Sequence, residues 1–269
     1  MLFRSKVWGR VDNVEDVSKM QEDLNRLGLW SEKNLMPFNV SKCKVMHLGN
    51  RNQKAVYKLL GQVIQETKEE KDLGVIFSDT FKPTTNCGKA SKAANKIVGL
   101  IRRNIINKTE EEMLILYKTL VRPTLDYCIP VWRPYLRKDI KQLERIQKRF
   151  TKMINGCKKM NYGQRLEKLN LTTLEERHHR ADMIQVFKVI NDRSNVYPAK
   201  FLELNERPGR KNSLKLYKKR YRLELSKNGF TSRVVDRWND LPDKVILSVD
   251  VKEFKSRFDC HMREVRGHT

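Results

Sequence analysis

The sixteen residues from Tyr117 to Trp132 run straight into a stretch whose apolar positions only a helix can bring together. Ile140, Leu143, Ile146, Phe150, Met153 and Ile154 follow one another at spacings of 3, 3, 4, 3 and 1, the period of a helix with one core-facing stripe. Lys141, Arg145, Lys148 and Lys152 fall on the opposite face. From Arg137 to Met160 nine Lys and Arg stand against two acids, so the solvent side is a row of positive charge. A phosphate backbone is the partner that such a row fits.

Composition carries the same message. A formal net charge of +24 on 269 residues is far beyond what solubility asks of a domain and implies a polyanion. The 39% of hydrophobic residues, at helical spacing along most of the chain, set it apart from a disordered basic tail. No apolar run approaches the roughly 20 residues that cross a bilayer, and Met1 to Arg10 lacks the apolar core of a signal peptide. An intracellular protein of the nucleus or cytoplasm is expected, neither secreted nor bound to a membrane. The five cysteines are widely and irregularly spaced, which argues against a disulfide framework. His178, His179, Cys260 and His261 lack the ligand spacings of structural zinc sites, so no metal is assigned to them.

Periodicity predicts a helix from Asp12 to Leu29 with Gly28 as its stop, one or two short strands from Phe38 to Leu48, a hairpin across Val56 to Glu66, and a strand from Asp72 to Phe77. Helices follow. Ala90, Ala93, Ala94, Ile97, Val98 and Ile101 form one stripe; Thr109 to Glu112 reads as a capping box, and Arg122-Pro123 should end or kink the helix it opens. The basic helix runs from Arg137 to Asn155, with Gly156 as its stop. Thr172 to Glu175 reads as a second capping box. Asn205 to Arg222 is basic and reads as an exposed arm, where Tyr217 and Tyr221 either stack on bases or cover a core edge. A last helix points Val251, Phe254 and Phe258 inward.

Five strings occur in a telling order: Phe38-Asn39-Val40-Ser41-Lys42-Cys43-Lys44, Glu70-Lys71-Asp72-Leu73-Gly74-Val75, Leu116-Tyr117-Lys118-Thr119-Leu120-Val121-Arg122-Pro123, Leu125-Asp126-Tyr127-Cys128 and Trp238-Asn239-Asp240-Leu241-Pro242. Together they resemble the C-terminal half of reverse transcriptases from LINE-type (non-LTR) retrotransposons of the Jockey group, over roughly residues 10 to 260. The resemblance implies an α+β, predominantly helical chain: residues 1–82 a partial palm with a primer-grip-like hairpin, residues 83–160 a helical thumb, and residues 161–269 a mostly helical C-terminal extension with the basic arm near 205–222. It places Asn39 and Lys42 beside the incoming triphosphate and Leu73-Gly74 on the primer-grip hairpin. Lys141, Arg145, Lys148, Arg149, Lys152, Lys158, Lys159, Arg210, Lys211, Lys218 and Lys219 are then the candidate contacts to RNA, DNA or an RNA–DNA hybrid.

One departure from the family bears on chemistry. Primer extension needs two metal ions about 3.5–4 Å apart on clustered carboxylates. The family's Ala-Asp-Asp turn falls within or before Met1 to Trp8, where there is no acid, and Asp12 and Asp16 read as capping and solvent residues of the first helix. The fingers and the rest of the palm are absent too. The expectation is an RNA-directed DNA polymerase fragment, inactive on its own, with residual template-primer affinity. No catalytic residue or cofactor is assigned; Mg2+ belongs to the intact polymerase, and an upstream polymerase half is a partner if the chain is part of a longer product. A domesticated, non-enzymatic nucleic-acid-binding protein and a functionless pseudogene product are the alternatives. Cutting a palm through its sheet would leave strand edges and apolar surface exposed between Phe38 and Phe77.

Overall fold

The computed structural model describes residues 5–49, 52–191, 201–205 and 212–267, and the chain divides into two units, Met1–Lys82 and Pro83–Thr269. It is predominantly helical with a few short strands.

In the first unit, α1 (Val14–Lys33) starts at Asn13, whose side chain accepts the Asp16 amide at 2.8 Å. Val17, Met20 and Leu24 pack on Tyr57, Leu59 and Ile64 from the short strands. Gln21 grips the same strands, accepting the Lys58 amide at 2.9 Å and donating to the Lys58 carbonyl at 2.8 Å. Gly28 does not stop this helix. It is buried, and a Cβ there would stand 3.0 Å from the Leu60 side chain, so the glycine marks a close approach.

Strands β1 (Lys44–Val45) and β4 (Gln65–Glu66) pair in parallel, while β2 (Lys58–Leu59) and β3 (Gln62–Val63) form a hairpin. The stretch from Phe38 is not strand throughout: Val40–Lys42 is a 3-10 turn, seeded where the Asn39 carbonyl accepts the Lys42 amide at 3.0 Å. The strand expected from Asp72 to Phe77 is instead the second half of a hairpin, β5 (Glu69–Asp72) and β6 (Val75–Ser78), turning on Leu73-Gly74. Both turn residues have positive φ, 45° and 87°, the backbone of a two-residue I′ turn. Alternation of apolar residues cannot reveal a turn whose first residue is a leucine.

In the second unit, α2 (Thr84–Asn104) and α6 (Arg137–Thr151) lie side by side and parallel. Their contacts run in the same order along both: Thr84 donates to Asp139 at 2.8 Å, Arg149 donates to Asn95 at 2.6 Å, and beyond both ends the Asn155 amide reaches the Lys108 carbonyl at 2.9 Å. Ala90 and Ala94 on α2, with Leu143, Ile146 and Phe150 on α6, are buried. Between the two helices the chain forms α3 (Glu110–Leu116), a five-residue π-turn (Tyr117–Val121), α4 (Arg122–Asp126) and α5 (Ile129–Trp132). Pro123 therefore does not end the helix. The wider π-turn, closed by the Arg122 amide on the Tyr117 carbonyl, relieves the clash a proline ring makes with the carbonyl four residues back. The Thr109 capping box does not close, because the Thr109 hydroxyl donates to the Glu112 carboxylate at 2.7 Å and no backbone amide uses it.

Helices α7 (Tyr162–Lys168) and α8 (Leu174–Ile190) follow. The capping box of α8 is one residue later than its sequence suggests: Thr173 accepts the Glu176 amide, and Glu176 accepts the Thr173 amide. A C-terminal core gathers Phe187, Trp238, Phe254 and Phe258, with the Phe187 and Phe254 rings stacked at 4.4 Å. The Trp238-Asn239 string fastens residues 212–216 to this core. Trp238 donates to the Leu214 carbonyl at 2.8 Å, and Asn239 bonds both backbone groups of Leu216 at 2.8 and 2.9 Å. Residues 212–216 are thus not part of a free arm.

His179 packs against Phe258 in this core. Burial, reinforced by the Arg237 and Arg133 charges, pushes its pKa down to about 3. The unfolded chain takes up this proton near pH 6.5 and the folded chain does not, so stability is full above that pH and falls as pH drops through the window from 6.5 toward 3. On the order of 2 kcal/mol should be lost by pH 5. Denaturant midpoints at pH 7.5 and 5.0 should show that loss in the wild type and most of it abolished in His179→Gln. Equal losses in both proteins would remove His179 as the cause.

Candidate nucleic-acid interface

Lys141, Arg145, Lys148, Arg149 and Lys152 are all exposed, and Lys158 and Lys159 extend them just past the end of α6. The two acids of this helix are turned away from that surface. Asp139 is buried against Thr84, and Glu144 takes the Tyr162 hydroxyl and, at 2.9 Å, the Leu174 amide. Arg165, itself buried, donates to the Met160 carbonyl at 2.7 Å and the Lys148 carbonyl at 3.4 Å, adding a cation at the negative end of the α6 dipole.

The second half of the surface was not among the candidate residues. Helix α2 carries Lys89, Lys92, Lys96, Arg102 and Arg103, all exposed, and contains no acid. The signal was present in the sequence, since residues 80–109 are thirty positions without an aspartate or glutamate. What the sequence did not show is that α2 lies parallel to α6, joined through Arg149 and Asn95.

Among the described residues, none of these cations on α2 or α6 makes a salt bridge. Elsewhere the molecule pairs its surface charges. On α1, Lys19 sits 3.4 Å from Glu15, and Arg26 sits 3.4 Å from Asp23; farther on, Lys227 sits 2.6 Å from Glu224 and Arg257 sits 2.7 Å from Glu253. The contrast separates a solvated helix face from one left open to an anion.

The remaining candidates are dispersed. Lys218 is paired with Asp236 at 2.6 Å and Lys219 with Glu203, so both already have acidic partners; Arg210 and Lys211 lie outside the described residues. Tyr217 is exposed, between Leu216 in the core and Lys218. In the first unit, Asn39 and Lys42 are exposed on the 3-10 turn rather than on a strand, and Leu73 projects from the hairpin tip at 83% exposure. Asp16 accepts the Asp12 amide at 3.0 Å and Asp12 pairs with Arg10, capping roles that leave neither poised for a metal. His178 faces Asp126 at 3.6 Å, and Cys260 points at Glu264. Among the described residues there is no group of three or more His, Cys, Asp or Glu that could hold a metal ion, so the two-ion chemistry of a polymerase finds no ligand set in them. Among them, too, no helix is long and apolar enough to cross a membrane.

A groove of about 410 Å³ borders the basic face, between α6 and the turn from α7 to α8. Arg137, Lys141, Arg145 and Lys148 line it together with Glu144, Glu175, Ile140, Thr173 and Tyr162. Lys148 lies over the Tyr162 ring, 4.9 Å from its centre.

Comparison of the chain with protein-family profiles, with curated proteins and with solved structures gives no match.

Proposed function

We propose that this chain is the part of a LINE-type reverse transcriptase that follows the catalytic turn, and that it binds the backbone of a template-primer duplex through the paired faces of α2 and α6. The observation that carries the reading is the unpaired charge of these helices on a surface whose cations elsewhere have carboxylate partners. Parallel helices pack roughly 8–10 Å apart, so the two rows form a broad strip rather than a single line of charge. Such a strip suits a rigid helical polyanion recognised by charge and shape. The five ordered strings give the reading its origin. With no cluster of carboxylates among the described residues, the chain by itself is proposed to bind without extending a primer.

Fluorescence anisotropy against an RNA–DNA hybrid, across a salt series, tests this. Log affinity against log salt should fall with a slope set by about 4 to 8 phosphate contacts. Glutamine at Lys141, Arg145, Lys148 and Lys152 should make that slope shallower by about 3 to 4. Identical slopes for the variant and the wild type would mean diffuse charge and no interface.

A further inference from the structure

The groove beside α6 holds unpaired charge of both signs. Arg137, Lys141, Arg145 and Lys148 make no salt bridge among the described residues, and neither does Glu175, which is exposed in the first turn of α8 and has no hydrogen-bond partner there. Oppositely charged side chains sharing about 410 Å³ without pairing leave donors and acceptors free together. A pocket built for phosphate alone would be lined by donors, and the carboxylate would repel it. A ligand suited to this lining carries an anionic group for the cations and N–H donors for the carboxylate.

The floor is fixed in place. Tyr162 donates to Glu144 and receives the Gln147 amide at 2.9 Å; Gln147 also donates to the Thr172 carbonyl at 2.8 Å and accepts from the buried Tyr117 hydroxyl. This chain ties the groove to the core, so Glu144 and Tyr162 hold their positions before any ligand arrives. Ile140 supplies apolar wall, and the volume falls within the roughly 300–1,000 Å³ of small-molecule pockets.

We propose that the groove is a single-nucleotide pocket that takes one unpaired guanosine nucleotide at the end of the bound nucleic acid. Its phosphate lies on Lys141, Arg145 and Lys148, and the adjacent ring N–H and amino group of the base donate to the Glu175 carboxylate. Guanine is the base with two neighbouring donors on that edge, matching the two oxygens of a carboxylate. The inference rests on the duplex-binding reading, because those three cations belong to both surfaces.

The test is affinity for one hybrid duplex with a blunt end or with a single unpaired G, A, C or U, at fixed salt, for wild type and Glu175→Gln. The measured quantity is the ratio of overhang to blunt affinity, which cancels the general gain from removing a negative charge. In the wild type an unpaired G should bind about tenfold tighter than the blunt end, with U within about twofold of it. Glu175→Gln should bring the G ratio to within about twofold while leaving the salt slope for the blunt duplex unchanged. Ratios near one for all four bases, with blunt binding intact, would overturn the pocket and leave the duplex reading standing. Titration with 5′-GMP, followed by the chemical shifts of the Tyr162 ring, separates the other case. Saturable shifts in the wild type, absent in Glu175→Gln, would uphold the pocket even if no duplex bound, and their absence from both would overturn it.

Discussion

Replacing Lys92, Lys96 and Arg103 on α2 by glutamine, together with Lys141, Arg145, Lys148 and Lys152 on α6, is expected to abolish most of the salt dependence of duplex binding. Each of the seven is exposed and free of a described carboxylate partner, and each is expected to displace one counterion from a phosphate. At about 0.9 of slope per contact, seven contacts are worth roughly 6, and affinity at low salt should fall by three or more orders of magnitude. The two helices can be separated in the same experiment. Three changes on α2 should remove a little under 3 of slope and four on α6 a little under 4, and the sets should add because they meet different phosphates. Folding should not suffer, since none of the seven makes a salt bridge. If the α2 set left the slope where it was, the interface would shrink to α6 alone.

Asp182→Ala should be among the most destabilising single substitutions in the second unit. Asp182 is fully buried on α8 and receives Arg133 at 2.7 Å and both prongs of Arg233 at 2.9 Å; Arg233 also donates to the Pro130 carbonyl at 2.7 Å. The side chains of Arg133 and Arg233 are only 10% and 14% exposed. Removing the carboxylate strands two guanidinium groups with little water to solvate them, a change worth about 3–5 kcal/mol. Against a total stability of about 5–15 kcal/mol, that is enough to leave the protein partly unfolded at 37 °C. Replacing Arg133, Asp182 and Arg233 together by Met, Leu and Met should cost far less, because the buried charges go with their partner. Denaturant midpoints of the two variants decide it. A loss below about 1 kcal/mol in Asp182→Ala would mean that water reaches the cluster and that the carboxylate is not holding α8 to the α5 turn.

What the sequence disclosed of this architecture follows the range over which each force acts. Helical stripes are local, so Leu143, Ile146 and Phe150 could be assigned to a core, and their positions fix where Lys141 and Lys152 must point. The inward rotation of Asp139 and Glu144 depends on Thr84, Tyr162 and Leu174, which lie between 18 and 55 residues away, and no local pattern announces it. The same is true of α2 as the second basic row. Trp238-Asn239 stood out as a string, yet its work of clamping Leu214 and Leu216 is a contact across more than twenty residues. The remaining differences arise from backbone detail. Leu73 takes a left-handed conformation that leucine seldom adopts, and Pro123 is carried by a π-turn where the usual rule ends a helix. Thr173 rather than Thr172 caps α8, a choice between two adjacent threonines that the sequence left almost degenerate.

The parallel α2–α6 pair has a further consequence in its own cohesion. Two rows of like charge held within a screening length of each other push apart, and their macrodipoles, pointing the same way, add to the strain instead of cancelling. The buried contacts of Ala94, Leu143 and Phe150 must hold the helices together against that pressure. Added ions therefore act in opposite directions on the two properties of this surface: they loosen its grip on a polyanion while relaxing the repulsion between the helices that form it.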